Sequence, residues 1–558
     1  MKRLLLALAA VTALFALFSL MPLSGHSVAA FALSAGSAGA VCIALYRLLA
    51  APDRKRYQRA KKLLEYLPFI QMAAFVIRRS GHIPTGFWYD FPCALLWVAL
   101  YVLSLVILWH LSEKRVSRWL KGIEPVSQGR KGLFVHILEW ADALVQSACL
   151  VLLVNIFLFQ LYAIPSESMV PEFMVGDRVA VLKTPSGPRF PLSRVGIPRF
   201  REYNRGDIVV FSNPHYNDTR EDQVRSFVSQ LVYMLTFTSV NINRDEYGAV
   251  KADPLVKRVV GVPGEKLMML DGILYSKTRT STDWDIVQED AGWATWNLAS
   301  LPRSQKALVR QFPLSQEDFL VMESVESSRA ALTATSAAAE AASLVERFGR
   351  LKTGPETVSD VSELVSRNRR EVQSLYRANE DLTRLLMTTN GGRRWFTSFM
   401  TDWLTDQERA NPFDEQSMHL NLLVKLNLGR LIVRNAELIQ SNASAQAFAD
   451  DRQRKNLLID AQQYLFYLAL HDQRNMPEFP PEPDSYLDEG AFFLMGDNRF
   501  NSLDMRHSYN WTLRELDGGD PWTVLYRSNI SPRSVNRDRI LGTAALRFWP
   551  PSRAGIPE

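Results

Sequence analysis

WADALVQSACLVLLVNIFLFQLY (140–162), followed at once by AIPSESMVP (163–171), is the stretch that divides this 558-residue chain in two. The first part is apolar over 23 residues, and a helix needs roughly 20 to cross the hydrocarbon of a bilayer. The second part breaks at Pro165 and carries two serines, Ser166 and Ser168, directly past the end of the anchor. Upstream of the junction the chain is a series of apolar segments. Downstream it turns to short alternating runs and then to long helical ones.

Residues 4–22, 28–50 and 91–109 share the texture of 140–162, and each is near the roughly 20 residues a helix needs to span. A fifth stretch, LLEYLPFIQMAAFVI (63–77), is shorter and holds Glu65, Pro68 and Gln71. Charge arbitrates. The segment 51–62 holds Arg54, Lys55, Arg56, Arg59, Lys61 and Lys62, and the segment 111–137 holds Lys114, Arg115, Arg118, Lys121, Arg130 and Lys131. Both are expected as cytoplasmic loops, because basic residues accumulate on that side. An even number of crossings must lie between them, so 63–77 is expected to span together with 91–109. Arg78 and Arg79 then fall on the outer side, against the rule. With Lys2 and Arg3 inside, five crossings place everything after 162 outside. A leading Lys-Arg pair before an apolar run also fits a cleavable leader, but the next apolar segment follows almost at once, which favours an anchor. Residues 1–162 are therefore expected to be a multi-pass region of the cytoplasmic membrane, with the remainder extracytoplasmic.

Beyond 162, the runs DRVAVLK (177–183), DIVVF (207–211), VKRVVGV (256–262), EKLMML (265–270), AFFLMG (491–496) and ILGTAALRFW (540–549) are bounded by Gly, Pro, Asn and Asp, as strands are. A mainly antiparallel β domain is expected over 163–276 and 484–558. Between them, 277–483 contains SSRAALTATSAAAEAASLVERFGRL (327–351), ETVSDVSELVSRNRREVQSLYRANEDLTRLLM (356–387) and QAFADDRQRKNLLIDAQQYLFYLAL (446–470), with apolar residues at helical spacing. The fold class is thus a multi-span helical membrane region followed by an antiparallel β domain that a large α-helical insertion interrupts. The insertion is given no chemistry. The apolar run SFVSQLVYMLTFTSV (226–240) is read as a buried strand in preference to a patch dipping into the membrane surface.

Net charge is +6, and no basic block interleaved with aromatics points to nucleic acid. The three cysteines, Cys42, Cys93 and Cys149, all lie in apolar stretches, and no His/Cys cluster suggests a metal.

A serine hydroxyl is a weak nucleophile and needs an adjacent base. No histidine has a persuasive context, the nearest being His507. Lysine can serve where burial lowers its pKa, because desolvation disfavours the ammonium form. Lys257 lies in PLVKRVVGVPGE among Leu255, Val256, Val259 and Val260. A third cluster, FFLMGDNRFNSLDMR (492–506), places a Gly-Asp-Asn turn after a strand. Its Ser502, Asp504 and Arg506 alternate, so an extended backbone puts them on one face, with an Asp504–Arg506 pair bracing the loop.

Together with Arg205-Gly206-Asp207, these clusters resemble in order and content the bacterial type I signal peptidases. That family shows PSxSMxP, an RGD-led strand, KRxxGxPGD and GDNRxNSxDSR. Here they stand as Pro165 to Pro171, Arg205 to Asp207, Lys257 to Glu265 and Gly496 to Arg506, and LGTAALRFWP (541–550) is similar to the family's last strand. The resemblance covers roughly 163–275 and 485–550.

The resemblance implies a membrane-bound serine endopeptidase that removes signal peptides from exported preproteins. It implies Ser168 as nucleophile and Lys257 as general base. Ser166 would help the Ser168 N–H form the oxyanion hole, Ser502 would orient the lysine, and Asp504 and Arg506 would form the supporting ion pair. Ile164, Pro165 and Val256 would line pockets for small side chains before the cut. No metal or organic cofactor is called for. The partners implied are preproteins and the lipid bilayer; apart from the resemblance, the insertion at 277–483 is a candidate site for contact with secretion machinery.

The chain departs from the pattern at Glu167, Phe500, Met505 and Glu265. Glu167 matters most, since a carboxylate beside the nucleophile raises the pKa of a lysine base. Five anchors, where the family has one or two, are a further departure. The competing class is an inactive polytopic protein that uses the insertion to bind partners. Intact Ser168, Lys257, Ser502 and Asp504 count against it.

Overall fold

The computed structural model describes residues 1–119, 133–216, 219–236, 240–244, 248–351, 353, 370–403 and 411–558. Lys121, Arg130 and Lys131 of the second basic segment, 356–369 of the second expected insertion helix and 237–239 lie outside these.

The N-terminal third is helical: α1 (Lys2–Leu20), α2 (Gly25–Ala50), α3 (Arg54–Arg79), α4 (Phe87–His110), the short α5 (Glu113–Trp119) and α6 (Leu133–Phe157). Among the described residues, α1, α2, α4 and α6 are long and apolar enough to cross a membrane. The first four helices pack around Leu8, Val41, Leu45, Leu64, Leu67 and Leu100, while Leu6, Leu17, Ile43, Val98 and Val102 remain exposed, as suits a surface facing lipid.

Segment 63–77 is the second half of α3. The first half is the basic stretch, and there the expected loop is overturned: the helix begins at Arg54. Lys, Arg, Gln and Ala are all good helix formers, and the Asp53 carboxylate caps the start by accepting from the Arg56 N–H at 2.8 Å. The two arginines that violate the charge rule are buried. Arg79 pairs with Asp90 at 2.6 Å, both residues being 2% exposed, and Arg78 donates to the Met21 carbonyl at 2.9 Å.

The β region is antiparallel, as expected. A seven-stranded sheet runs β1 (Phe159–Ala163), β2 (Arg178–Leu182), β13 (Ile540–Trp549), β3 (Ile208–Phe211), β4 (Leu255–Gly261), β9 (Ala491–Met495), β12 (Val535–Asn536). A four-stranded sheet runs β7 (Asp285–Ile286), β6 (Ile273–Thr278), β5 (Glu265–Leu270), β8 (Met476–Phe479). A hairpin of β10 (His507–Glu515) and β11 (Leu525–Ile530) completes the region. Strand β4 lies between β3 and β9, with Lys257 opposite Val209 and Arg258 opposite both Ile208 and Met495.

Over 226–235 the expected strand is a helix instead: α7 spans Arg220–Leu235, and only Ser229 in it is buried. Phe227, Leu231 and Met234 recur at helical spacing, Glu221 and Asp222 occupy the first turn, and Thr219 caps Asp222 at 3.2 Å.

Between β6 and β8 the described residues are largely helical, starting with β7 and α8 (Gln288–Trp293). Helices Gln316–Ala331, Ala334–Gly349, Gly392–Thr401, Pro412–Gln440 and Arg452–Arg474 share a core with Trp395, Phe399, Leu420 and Tyr467 at its centre. This core extends to Leu516, Val524 and Tyr526 of the β10–β11 hairpin. A buried Lys425–Asp520 pair at 2.5 Å joins the two.

Candidate active site

Strand β1 delivers the chain into a tight loop. The Ile164 N–H donates to the Asp177 carbonyl at 2.8 Å, and the Gly176 N–H returns to the Ile164 carbonyl at 2.9 Å, closing 164–177 on itself. Within it, Val170 N–H reaches the Glu167 carbonyl at 3.1 Å and Phe173 N–H the Met169 carbonyl at 2.8 Å. Ile164, Met169 and Phe173 pack with Val179, Ile208 and the half-buried Val256. Two of the three expected pocket residues, Ile164 and Val256, thus share one apolar cluster, and Pro165 is exposed beside them.

The loop presents Ser168 to β4. Lys257 Nζ lies 2.7 Å from Ser168 Oγ, and the two residues are 3% and 8% exposed. Burial pushes the ammonium down to about 8, against the opposing pull of Asp504 and Asp497 and with the help of Arg506. About a tenth of the lysine is then neutral at pH 7, where an ordinary lysine would hold well under a thousandth in that form. Ser166 is exposed, its Oγ 3.4 Å from Ser168 Oγ.

The turn after β9 locks the loop from below. Asn498 donates its N–H to the Ser168 carbonyl at 3.1 Å and its side-chain amide to the Glu167 carbonyl at 3.0 Å. Gly496 is pressed between segments: a Cβ there would stand 2.4 Å from the Ser168 carbonyl oxygen and 2.2 Å from Ser502 Oγ. The Asp504–Arg506 pair forms as expected, with Nε at 2.8 Å and Nη2 at 3.0 Å from the carboxylate, and both residues are fully buried. Burial alone would raise the Asp504 pKa. The Arg506 guanidinium and the Gly496 N–H outweigh it and hold the carboxyl well below the usual range. Ser502 is buried in the same place, but its Oγ has no hydrogen-bond partner among the described residues, so the expected bond to Lys257 is not made in this arrangement.

Sequence reasoning missed two further buried pairs. Arg258 is held by Asp497, and Arg499 by Asp290 at 2.6 and 3.1 Å. The signal for the first was present, since Arg258 adjoins Lys257 and Asp497 sits in the Gly-Asp-Asn turn. Asp290, on α8, carried none. His507 is wholly buried and pushed down to about 4 by desolvation and by Arg506, so it is neutral near pH 7.

Glu167 is 6% exposed, and its carboxylate accepts from the backbone N–H groups of Arg310 and Gln311, at 2.5 and 3.2 Å. The charges that act on Lys257 are Asp504, Asp497 and Arg506.

Comparison with known proteins gives one answer. Residues 137–323 match the family model described as signal peptidase, peptidase S26. The signal peptidase I of Buchnera aphidicola subsp. Schizaphis graminum is 25% identical over 177 residues, covering 32% of this chain and 45% of the relative. That of Bacillus licheniformis is 27% identical over 143 residues, 25% of this chain and 50% of the relative. Signal peptidase I T of Bacillus subtilis is 29% identical over 138 residues, 25% and 47%. The chain spans about half the length of these curated relatives. The resemblance read from the motifs is borne out. The family match takes in Ser168 and Lys257 and ends before Ser502, Asp504 and Arg506, which the fold brings back to them.

Proposed function

We propose that this chain is a membrane-bound serine endopeptidase that removes N-terminal signal peptides from exported proteins. The observation that carries the reading is the 2.7 Å approach of a buried, pKa-depressed Lys257 to Ser168, at the end of an apolar helix long enough to span a bilayer. The similarity to signal peptidases I supports the same reading.

Neutral Lys257 takes the Ser168 proton as Oγ attacks the carbonyl of the residue before the cut. The developing oxyanion rests on the Ser168 N–H and the Ser166 hydroxyl, each donor contributing about 3 kcal/mol. Collapse expels the mature amino terminus, whose amine takes the proton from the Lys257 ammonium, and leaves the leader as an acyl-enzyme on Ser168. Water then attacks with Lys257 again as base. Asp504 and Arg506 neutralise each other beneath the lysine, and Ile164, Pro165 and Val256 receive small side chains ahead of the cut. The catalytic side is extracytoplasmic, with 1–162 as the multi-pass anchor. The helical insertion enters this reading as a support of the catalytic loop, through Asp290 and Glu167, rather than as a docking arm.

The test is cleavage of a fluorogenic peptide with Ala-x-Ala before the cut, by purified protein in detergent. Ser168→Ala and Lys257→Ala are each expected to abolish it while the protein stays folded. Retained cleavage by either variant removes that residue from the mechanism.

A further inference from the structure

Glu167 stands between Ser166 and the nucleophile and is buried, which is costly for a carboxylate unless donors meet it. Here two donors do, and both come from residues 310 and 311, 143 and 144 positions downstream where the chain enters the helical insertion. They are backbone N–H groups, so the contact depends on the path of that segment and not on its side chains. The same segment packs on the loop a second time: Leu298, Leu301 and Val309 cluster with Val170 and Met174, just past Ser168. That apolar surround raises the strength of the charge-assisted bonds it shields. From the other side, Asn498 holds the backbone carbonyls of Glu167 and Ser168. The nucleophile loop is therefore gripped between the Gly-Asp-Asn turn and the entry to the insertion.

We propose that residues 298–311 act as a strap on the nucleophile loop and that Glu167 is the positioning residue through which the strap fixes Ser168. The departure at position 167 and the presence of the insertion become one feature: the added chain supplies the N–H groups that the added carboxylate requires. The large helical body is then coupled to the site through this strap. The inference rests on the peptidase reading above.

The experiment compares full-length wild type, Glu167→Ala, Glu167→Gln and Arg310→Pro in detergent with the Ala-x-Ala peptide. Arg310→Pro deletes the nearer N–H donor without touching the nucleophile loop, and the Arg310 side chain is exposed. It carries the test should Glu167→Ala fail to fold. Glu167→Ala is expected to lower kcat about 10- to 100-fold, the scale of a small misplacement of a reacting group, with KM within about twofold. Glu167→Gln, which keeps one acceptor, is expected to fall between it and wild type. Arg310→Pro is expected to lower kcat in the same direction. In all of them the pH midpoint of activity stays in place, and hydrogen exchange quickens together at 167–174 and 303–311.

Wild-type kcat in both Glu167→Ala and Arg310→Pro overturns the proposal. So does a moved pH midpoint, which would make Glu167 an electrostatic partner of Lys257. Cleavage surviving Ser168→Ala would instead remove the peptidase reading, whereas the exchange measurement needs no turnover and reads the strap regardless.

Discussion

Asp497 holds Arg258 with both carboxylate oxygens, Nε at 2.8 Å and Nη2 at 2.7 Å, and each side chain is 2% exposed. Arg258 is the neighbour of Lys257 on β4, and Asp497 the neighbour of Gly496 under the Ser168 carbonyl. One buried pair thus ties the strand that carries the base to the turn that supports the nucleophile.

Asp497→Asn is expected to leave the Arg258 guanidinium buried without its counter-charge. Breaking one side of such a pair costs about 3–5 kcal/mol, so the melting temperature in detergent should fall and activity with it. An unchanged melting curve would show that the pair does not tie the two segments.

The pH dependence follows from the sign of the lysine shift. Burial lowers Lys257 to about 8, and the neutral amine is the reactive form. The expected kcat/KM climbs as pH rises through about 8 and falls about tenfold per unit below it. A flat profile from pH 6 to 9 would rule out a neutral-lysine base.

The same shift makes Lys257 a cost to folding. An unfolded lysine keeps its proton up to about 10.5, while the folded one releases it near 8. Between those values the unfolded chain binds more protons, so the stability contribution improves with rising pH across that window. Below it the full penalty stands, of order 3 kcal/mol. Lys257→Met is therefore expected to melt higher than wild type at pH 7, with the gap narrowing from pH 8 toward 10. A variant that melts lower at pH 7 would contradict this.

Ser502 separates structure from turnover. Its Oγ is buried and has no hydrogen-bond partner among the described residues, and removal of an unsatisfied hydroxyl is near neutral or stabilising. Ser502→Ala should leave the melting temperature unchanged within a few degrees and lower kcat only if the hydroxyl meets Lys257 during reaction. A large loss of stability would mean that the hydroxyl has a partner in the resting protein.

Much of the site was legible because its chemistry is concentrated in short motifs. Ser168, Lys257, Asp504 and Arg506 were each readable with their local sequence, and the fold brings them together. Strands β2, β3, β4, β5, β9 and β13, too, announced themselves by alternation and by the turns that bound them, whereas β1, inside the expected membrane segment 140–162, and β6, β8, β10 and β11 did not. What was illegible was non-local. Asp290 sits in an unremarkable QED, and its role exists only because α8 folds back onto Arg499. Glu167 looked like a threat to the lysine because sequence places it beside Ser168 and says nothing of the amides at 310 and 311. Arg78 and Arg79 broke a charge rule that counts residues as though all were solvated, whereas one is paired with Asp90 and both are interior. The run at 226–240 was apolar enough for a strand, but the acidic first turn and the Thr219 cap decided for a helix.

Strands β6 and β8 flank β5 in the small sheet, so the chain departs for its helical excursion and comes home across a single strand. The excursion is a side circuit whose terminals are soldered to one board. Lengthening such a circuit adds only slowly to the entropy of closing it, which leaves the helices beyond the strap free to change in size while the two reacting atoms keep their separation.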